Sequence, residues 1–162
     1  MSKIITGRNT IDNQQDIVVL LIGARINKFW LLPLALPILS KMGRMLSELS
    51  QDASSGLLGY QSLGVGVSVQ YWRSVNDVLR YAEDSTRQHK PTVGRFFKKL
   101  FKNQAVGVWH ELFVVRAGSY EALYINMPGW GLSAVLPVHA ASGDRATAPR
   151  RLWGVPELKQ CK

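Results

Sequence analysis

The sequence predicts an α+β fold, a ferredoxin-like split βαβ sheet with one added strand. Three observations carry this reading. Hydrophobic spacing switches between strand and helix periods in the order β, α, β, β, α, β, β. The strand segments are rich in β-branched residues, and some are apolar on both faces, as in strands covered on both sides. The chain has 162 residues, 46% hydrophobic and 19% charged, which suits one packed domain.

Residues 1–15 are polar, contain Gly7, Asn9 and Asn13, and are expected to form a flexible N-terminal arm. A domain over residues 16–137 follows, opening with a strand from Asp16 to Asn27. Leu34, Ile38, Met42, Met45 and Leu49 then recur at three or four residues, predicting a helix over 30–49 that Pro37 kinks or delays. Two short strands come next, the second over Val67–Arg73, with Gly64 and Gly66 allowing a turn between them. Val67, Val69 and Tyr71 point one way, and Ser68, Gln70 and Trp72 the other. Ser74 caps a helix running to about His89, with Asp77 in its first turn and Val78, Tyr81 and Ala82 on its apolar face. Pro91 and Gly94 break the helix before a second piece from Thr92 to Phe101. Val106–Val115 and Tyr120–Met127 read as a hairpin closed by Arg116-Ala117-Gly118-Ser119. Residues 138–162 hold Gly143, Pro149 and Pro156 and read as an extended C-terminal tail. Helices cover one face of such a sheet, and a second copy is the expected cover for the other, giving a homodimer with sheets face to face.

The net charge is +9, which speeds encounter with anionic partners without fixing a function. Cys161 is the only cysteine, so no internal disulfide forms and a thiolate metal site is excluded; a cytoplasmic location is expected. The apolar run Phe29–Leu39 contains Pro33 and Pro37 and lies between Lys28 and Lys41. It is short of the roughly 20 residues of a membrane span, so it reads as a buried or partly interfacial helix and no transmembrane segment is expected. The basic run Arg95, Lys98, Lys99 and Lys102 is interleaved with Phe96, Phe97 and Phe101. Such a run can bind nucleic acid or an anionic surface, which is the least favoured reading; no nucleic-acid-binding signature accompanies it, so a solvated amphipathic helix is preferred and nucleic acid is not an expected partner. There is no phosphate loop or nucleophile elbow, and His89, His110 and His139 are not at zinc spacing.

His110 is the leading chemical candidate. Alternation places it with Val106, Val108 and Leu112, and an imidazole among apolar neighbours serves as base or haem ligand, or as a buried structural histidine. Glu111, on the opposite face with Trp109 and Phe113, is expected to pair with Arg25 or Arg73. Tyr71, Trp72, Tyr124 and Asn126 supply aromatic walls and polar handles for a small-molecule pocket, with His89 at its entrance. The alternative for the aromatic side chains is plain packing.

Several motifs occur in order: Val69-Gln70-Tyr71-Trp72-Arg73-Ser74, His89, Ala105-Val106-Gly107-Val108-Trp109-His110-Glu111, and Gly118-Ser119-Tyr120-Glu121-Ala122-Leu123-Tyr124-Ile125-Asn126-Met127-Pro128. Over roughly residues 16–134 they resemble a monooxygenase-like family, formerly a domain of unknown function, related to the small monooxygenase of the fumagillin pathway. The resemblance implies a dimeric α+β barrel. Members of that superfamily include cofactor-independent antibiotic-biosynthesis monooxygenases, and haem proteins such as aldoxime dehydratases, chlorite dismutases and haem-degrading enzymes. The implied function is a small oxidoreductase of secondary metabolism acting on an apolar organic substrate between sheet and helices. His110 is the base if no cofactor is used, or the ligand if haem is bound. A haem enzyme of aldoxime dehydratase type and a non-catalytic binder of hydrophobic ligands are the alternatives.

Overall fold

The computed structural model describes residues 3–31, 33, 43–44, 46–83, 102 and 104–154. In chain order the strands are β1 (Ile4–Ile11), β2 (Ile17–Ile26), β3 (Leu57–Gly64), β4 (Val67–Trp72), β5 (Val106–Val115), β6 (Leu123–Pro128) and β7 (Val138–Ala140). Among the described residues are two α-helices, α1 (Val75–Glu83) and α2 (Ala148–Trp153). The chain forms two compact units, one of residues 18–113 and one of residues 1–17 with 114–162.

The first unit is built on a four-stranded sheet in the order β3-β4-β2-β5. β4 runs antiparallel to both β2 and β3, so β2 and β3 are parallel with β4 inserted between them, the split βαβ arrangement. Val65-Gly66 closes the β3–β4 turn, where the glycines predicted one. On one face, Val18 and Leu20 of β2 pack with Trp72, Val78 of α1 and Leu49 as a buried cluster. Leu49 belongs to helical residues 46–50, and residues 33, 43 and 44 are helical as well. Leu34, Ile38, Met42 and Met45, the rest of the expected stripe, lie outside the described residues. So do residues 84–101, with the second helical piece and most of the basic run.

α1 begins where its cap predicts. The Asp77 amide donates to Ser74 Oγ at 3.1 Å, and Ser74 Oγ–H donates back to Asp77 Oδ2 at 2.8 Å. Asp77 is buried, and Arg73 and Arg80 both pair with it. These partners hold its carboxyl below the usual range, the Ser74 hydrogen bond first, against the opposing effect of burial. Val78 is buried as expected, whereas Ala82 is exposed.

The second unit corrects the sequence reading at both ends of the chain. Residues 4–11, expected as a loose arm, are the central strand of a three-stranded sheet in the order β6-β1-β7. Their polar side chains are consumed internally. Asn9 Nδ2 donates to the carbonyls of Thr6 and Gly7, and Thr10 Oγ1 donates to Ala122 O at 2.8 Å. Asn9 and Thr10 therefore pack inside with backbone carbonyls as their partners.

β6, expected as the added strand of the larger sheet, pairs with β1 instead of folding back on β5. The connection after β5 is tied to residues 13–16. Asp16 takes bonds from Arg116 Nη1 at 2.6 Å and the Ala117 amide at 2.9 Å, and the Gly118 amide donates to Asn13 O at 2.7 Å. Tyr120, expected to open the strand, is buried in that loop and donates its hydroxyl to Gln15 O at 3.0 Å. Over the described residues 138–154, β7, a short 3-10 turn and α2 replace the expected extended tail. Arg151 anchors it, its side chain 7% exposed, donating to Glu121 Oε2 at 2.8 Å and Arg145 O at 2.9 Å.

Candidate functional site

β5 is an edge strand of the four-stranded sheet. Its first residues are placed by the Asn27 amide, which donates to Ala105 O at 2.9 Å. Further along, the indole of Trp109 lies on Gly23 of β2, so close that a Cβ there would meet its ring atoms at 2.8 to 2.9 Å. Trp109 thus occupies the face of Gly23, which is the face of Val19, Leu21, Val69 and Tyr71. By alternation His110 projects from the opposite face, shared with Val18, Leu20 and Trp72. With Trp109 on Gly23 and Ala105 at Asn27, His110 lies towards the far end of β2 from the Val18–Trp72 cluster.

His110 is exposed. Val108 and Leu112, its neighbours on that strand face, are 42% and 37% exposed, so the described residues do not enclose the imidazole. If haem were bound here, His110 would hold its iron, and the described residues alone do not enclose that group. They do leave an imidazole reachable by an organic molecule, on a strip that is otherwise apolar. Among the described residues no three of His, Cys, Asp and Glu cluster as a metal site.

The other candidates divide between the two units. Tyr71 and Trp72 are neighbours on β4 and project from opposite faces. Trp72 is fully buried, its Nε1–H donates to Gln70 Oε1 at 3.1 Å, and its ring centroid is 5.6 Å from that of Tyr81. It is a core side chain. Tyr71 is buried too. Tyr124 and Asn126 belong to the other unit. The Tyr124 hydroxyl oxygen accepts from the Ser133 amide at 3.3 Å. Asn126 has φ 52°, and its Oδ1 accepts from the Gly7 amide at 2.8 Å, where a register shift interrupts the β1–β6 pairing. That carboxamide repairs a bulge. His89 lies outside the described residues. Glu111 is exposed and pairs with neither expected arginine; Arg73 is on Asp77.

The sequence reading passed over Gly23, whose missing side chain gives Trp109 its seat. A mid-strand glycine is the signal that would have found it, since such positions mark close approach by another group.

Comparison with known proteins places the chain. No curated protein sequence matches it. Among solved structures it is similar to an aldoxime dehydratase crystallised with butyraldoxime, with a TM-score of 0.57 and 18% identity. That match covers 84% of this chain and 44% of the enzyme's, so the chain spans less than half the length of that protein. The likeness is one of fold. The model of the monooxygenase af470-like family matches residues 17–132, which run from the start of β2 into the turn after β6, and the chain belongs to that family.

Proposed function

We propose that the protein is a small oxidoreductase that adds oxygen to an apolar organic substrate without a bound cofactor, with His110 as the base. The observation that carries this is the exposed imidazole in the strip of Val108 and Leu112. A base has to be reached by its substrate, and apolar neighbours favour an apolar one. Membership of the family supports the reaction type.

In the proposed reaction His110 takes a proton from a carbon next to a carbonyl, and the carbanion reacts with dioxygen to give a hydroperoxide. Loss of water then leaves a new ketone, so one CH2 and one O2 become one C=O and one H2O. Tyr71 projects from the sheet face opposite His110 and Tyr124 belongs to the other unit, so neither has a part in this step, and His89 lies outside the described residues. Trp72 and Asn126 act through packing and through the β1–β6 bulge. A second copy of the chain completes the barrel in this reading. Two things favour it: Trp109 and Phe113 are exposed on the other face of β5, and the enzyme of similar fold is more than twice the matched length.

The test is oxygen uptake with a panel of apolar ketones bearing acidic C–H groups. Uptake is expected for at least one, with His110→Ala lowering kcat roughly 100-fold or more, as for loss of a general base. Equal turnover by His110→Ala removes the assignment. A Soret band in haem-supplemented protein that disappears in His110→Ala would replace the cofactor-free reaction by a haem-dependent one, the reading in which dehydration of an aldoxime becomes the alternative.

A further inference from the structure

We propose that one end of the four-stranded sheet docks on the surface of an anionic lipid bilayer. Three segments of the same unit meet there. β2 ends in a 3-10 turn, Phe29–Leu31. The residues leading into it are held: the amides of Asn27 and Lys28 donate to Ala105 O at 2.9 and 3.4 Å, and Asn27 Nδ2 donates to Gln104 O at 3.3 Å. The β3–β4 turn lies towards the same end of β2, where the Ala24 amide donates to Gly66 O at 2.9 Å.

This end is apolar where it is most exposed. Phe29 and Trp30 are each 76% exposed, Val65 80% and Leu63 53%. Four large exposed side chains towards this end of the sheet are the kind of feature that marks an interaction site. Among the described residues of these segments the charge has one sign. Arg25 and Lys102 are exposed, and Lys28 is half-buried. No aspartate or glutamate occurs from Ile17 to Ser47, from Ala53 to Asn76, or from Lys102 to His110.

Aromatic and aliphatic tips ringed by cations suit an anionic membrane interface: the rings enter the headgroup region, where tryptophan is favoured, and the cations stay at the phosphates. A second copy presenting the same end would oppose cation to cation. A nucleic acid would answer the charge but leave Val65 and Leu63 without apolar contact. Docking here needs no transmembrane segment, and among the described residues no helix is long and apolar enough to cross a membrane. The inference stands apart from the role of His110.

The experiment is flotation of the full chain with vesicles of phosphatidylcholine alone and of phosphatidylcholine with phosphatidylserine. Binding is expected to the mixed vesicles, at least roughly tenfold tighter than to the neutral ones and weakened by salt. Trp30→Ala combined with Val65→Ser is expected to lower that affinity roughly tenfold or more. Both positions are exposed, and circular dichroism confirms the variant's fold. Trp153→Ala, an exposed tryptophan of the other unit, is expected to change nothing. The proposal is overturned if the native chain ignores mixed vesicles or binds both kinds equally. It is also overturned if the double variant binds as well as the native chain, or if that variant instead abolishes self-association or DNA binding with vesicle binding intact.

Discussion

At the residue scale, two positions have consequences out of proportion to their size. Gly23 is one, because a methyl group there has to displace the Trp109 ring. Gly23→Ala is expected to cost about 1–3 kcal/mol, the usual range for overpacking. Denaturant titration followed by tryptophan fluorescence would show a lower midpoint and an altered native spectrum; an unchanged midpoint would mean that the ring has room to move. Asp77 is the other. Its pKa is depressed in the folded chain, mainly by the Ser74 hydrogen bond and then by Arg73. A depressed carboxyl contributes stability above its unfolded pKa, near 3.9, and loses it as pH falls through the folded value. Asp77→Asn is expected to cost about 1–3 kcal/mol at neutral pH, the range for a disrupted buried polar contact. It should also flatten the acid limb of stability against pH, and an acid limb identical to the native one would exclude Asp77 as its source. Ser74 and Asp77 are legible in the sequence because a cap is a local device three residues long. The seat of Trp109 is not, because it joins residues of two strands far apart in the chain.

At the element scale, β1 separates the sequence reading from the structure most sharply. A loose arm can be removed without effect, but the central strand of a three-stranded sheet cannot. Deleting residues 1–11 is therefore expected to strip β6 and β7 of the ladder bonds they make to it. Hydrogen exchange would detect this as lost protection over residues 123–128 and 138–140; retained protection would return β1 to an accessory role. Asn9, Thr10 and Asn13 concealed the strand, because polar residues in sequence imply solvent. In the fold their donors are spent on backbone carbonyls, Asn13 Nδ2 on those of Tyr120 and Arg151. The misread hairpin has the same origin: Gly118 signals a turn, but the partners of that turn are Asn13 and Asp16, which local pattern does not reveal. By contrast β2, β3, β4 and α1 are legible, since alternation, a glycine turn and a cap are all short-range signals.

At the scale of the whole molecule, ionisation bounds the pH range of stability. Asp16 is held low by the Ala117 amide and then Arg116, and Asp77 is low as well, so stability declines below about pH 4, where their unfolded counterparts take up protons. Tyr120 is raised, first by burial and then by the charges of Asp12 and Asp16. Its contribution is present below the unfolded pKa, near 10, and is lost as pH rises through the folded value. Thermal melts across this range are expected to show a plateau with both limbs, and Tyr120→Phe should soften the alkaline one. An unchanged alkaline limb would place its origin elsewhere. The sequence by itself determined the split βαβ succession, the family motifs and the alternation that sets His110 opposite Trp109, because these depend on neighbours within a few residues. Only the tertiary structure decided that β1 completes a second sheet and that β6 leaves the first. It also placed Trp72 in the core and left His110 in the open. Those outcomes depend on which distant backbone groups and side chains meet, and burial is a property of the assembled chain that no short window of residues contains.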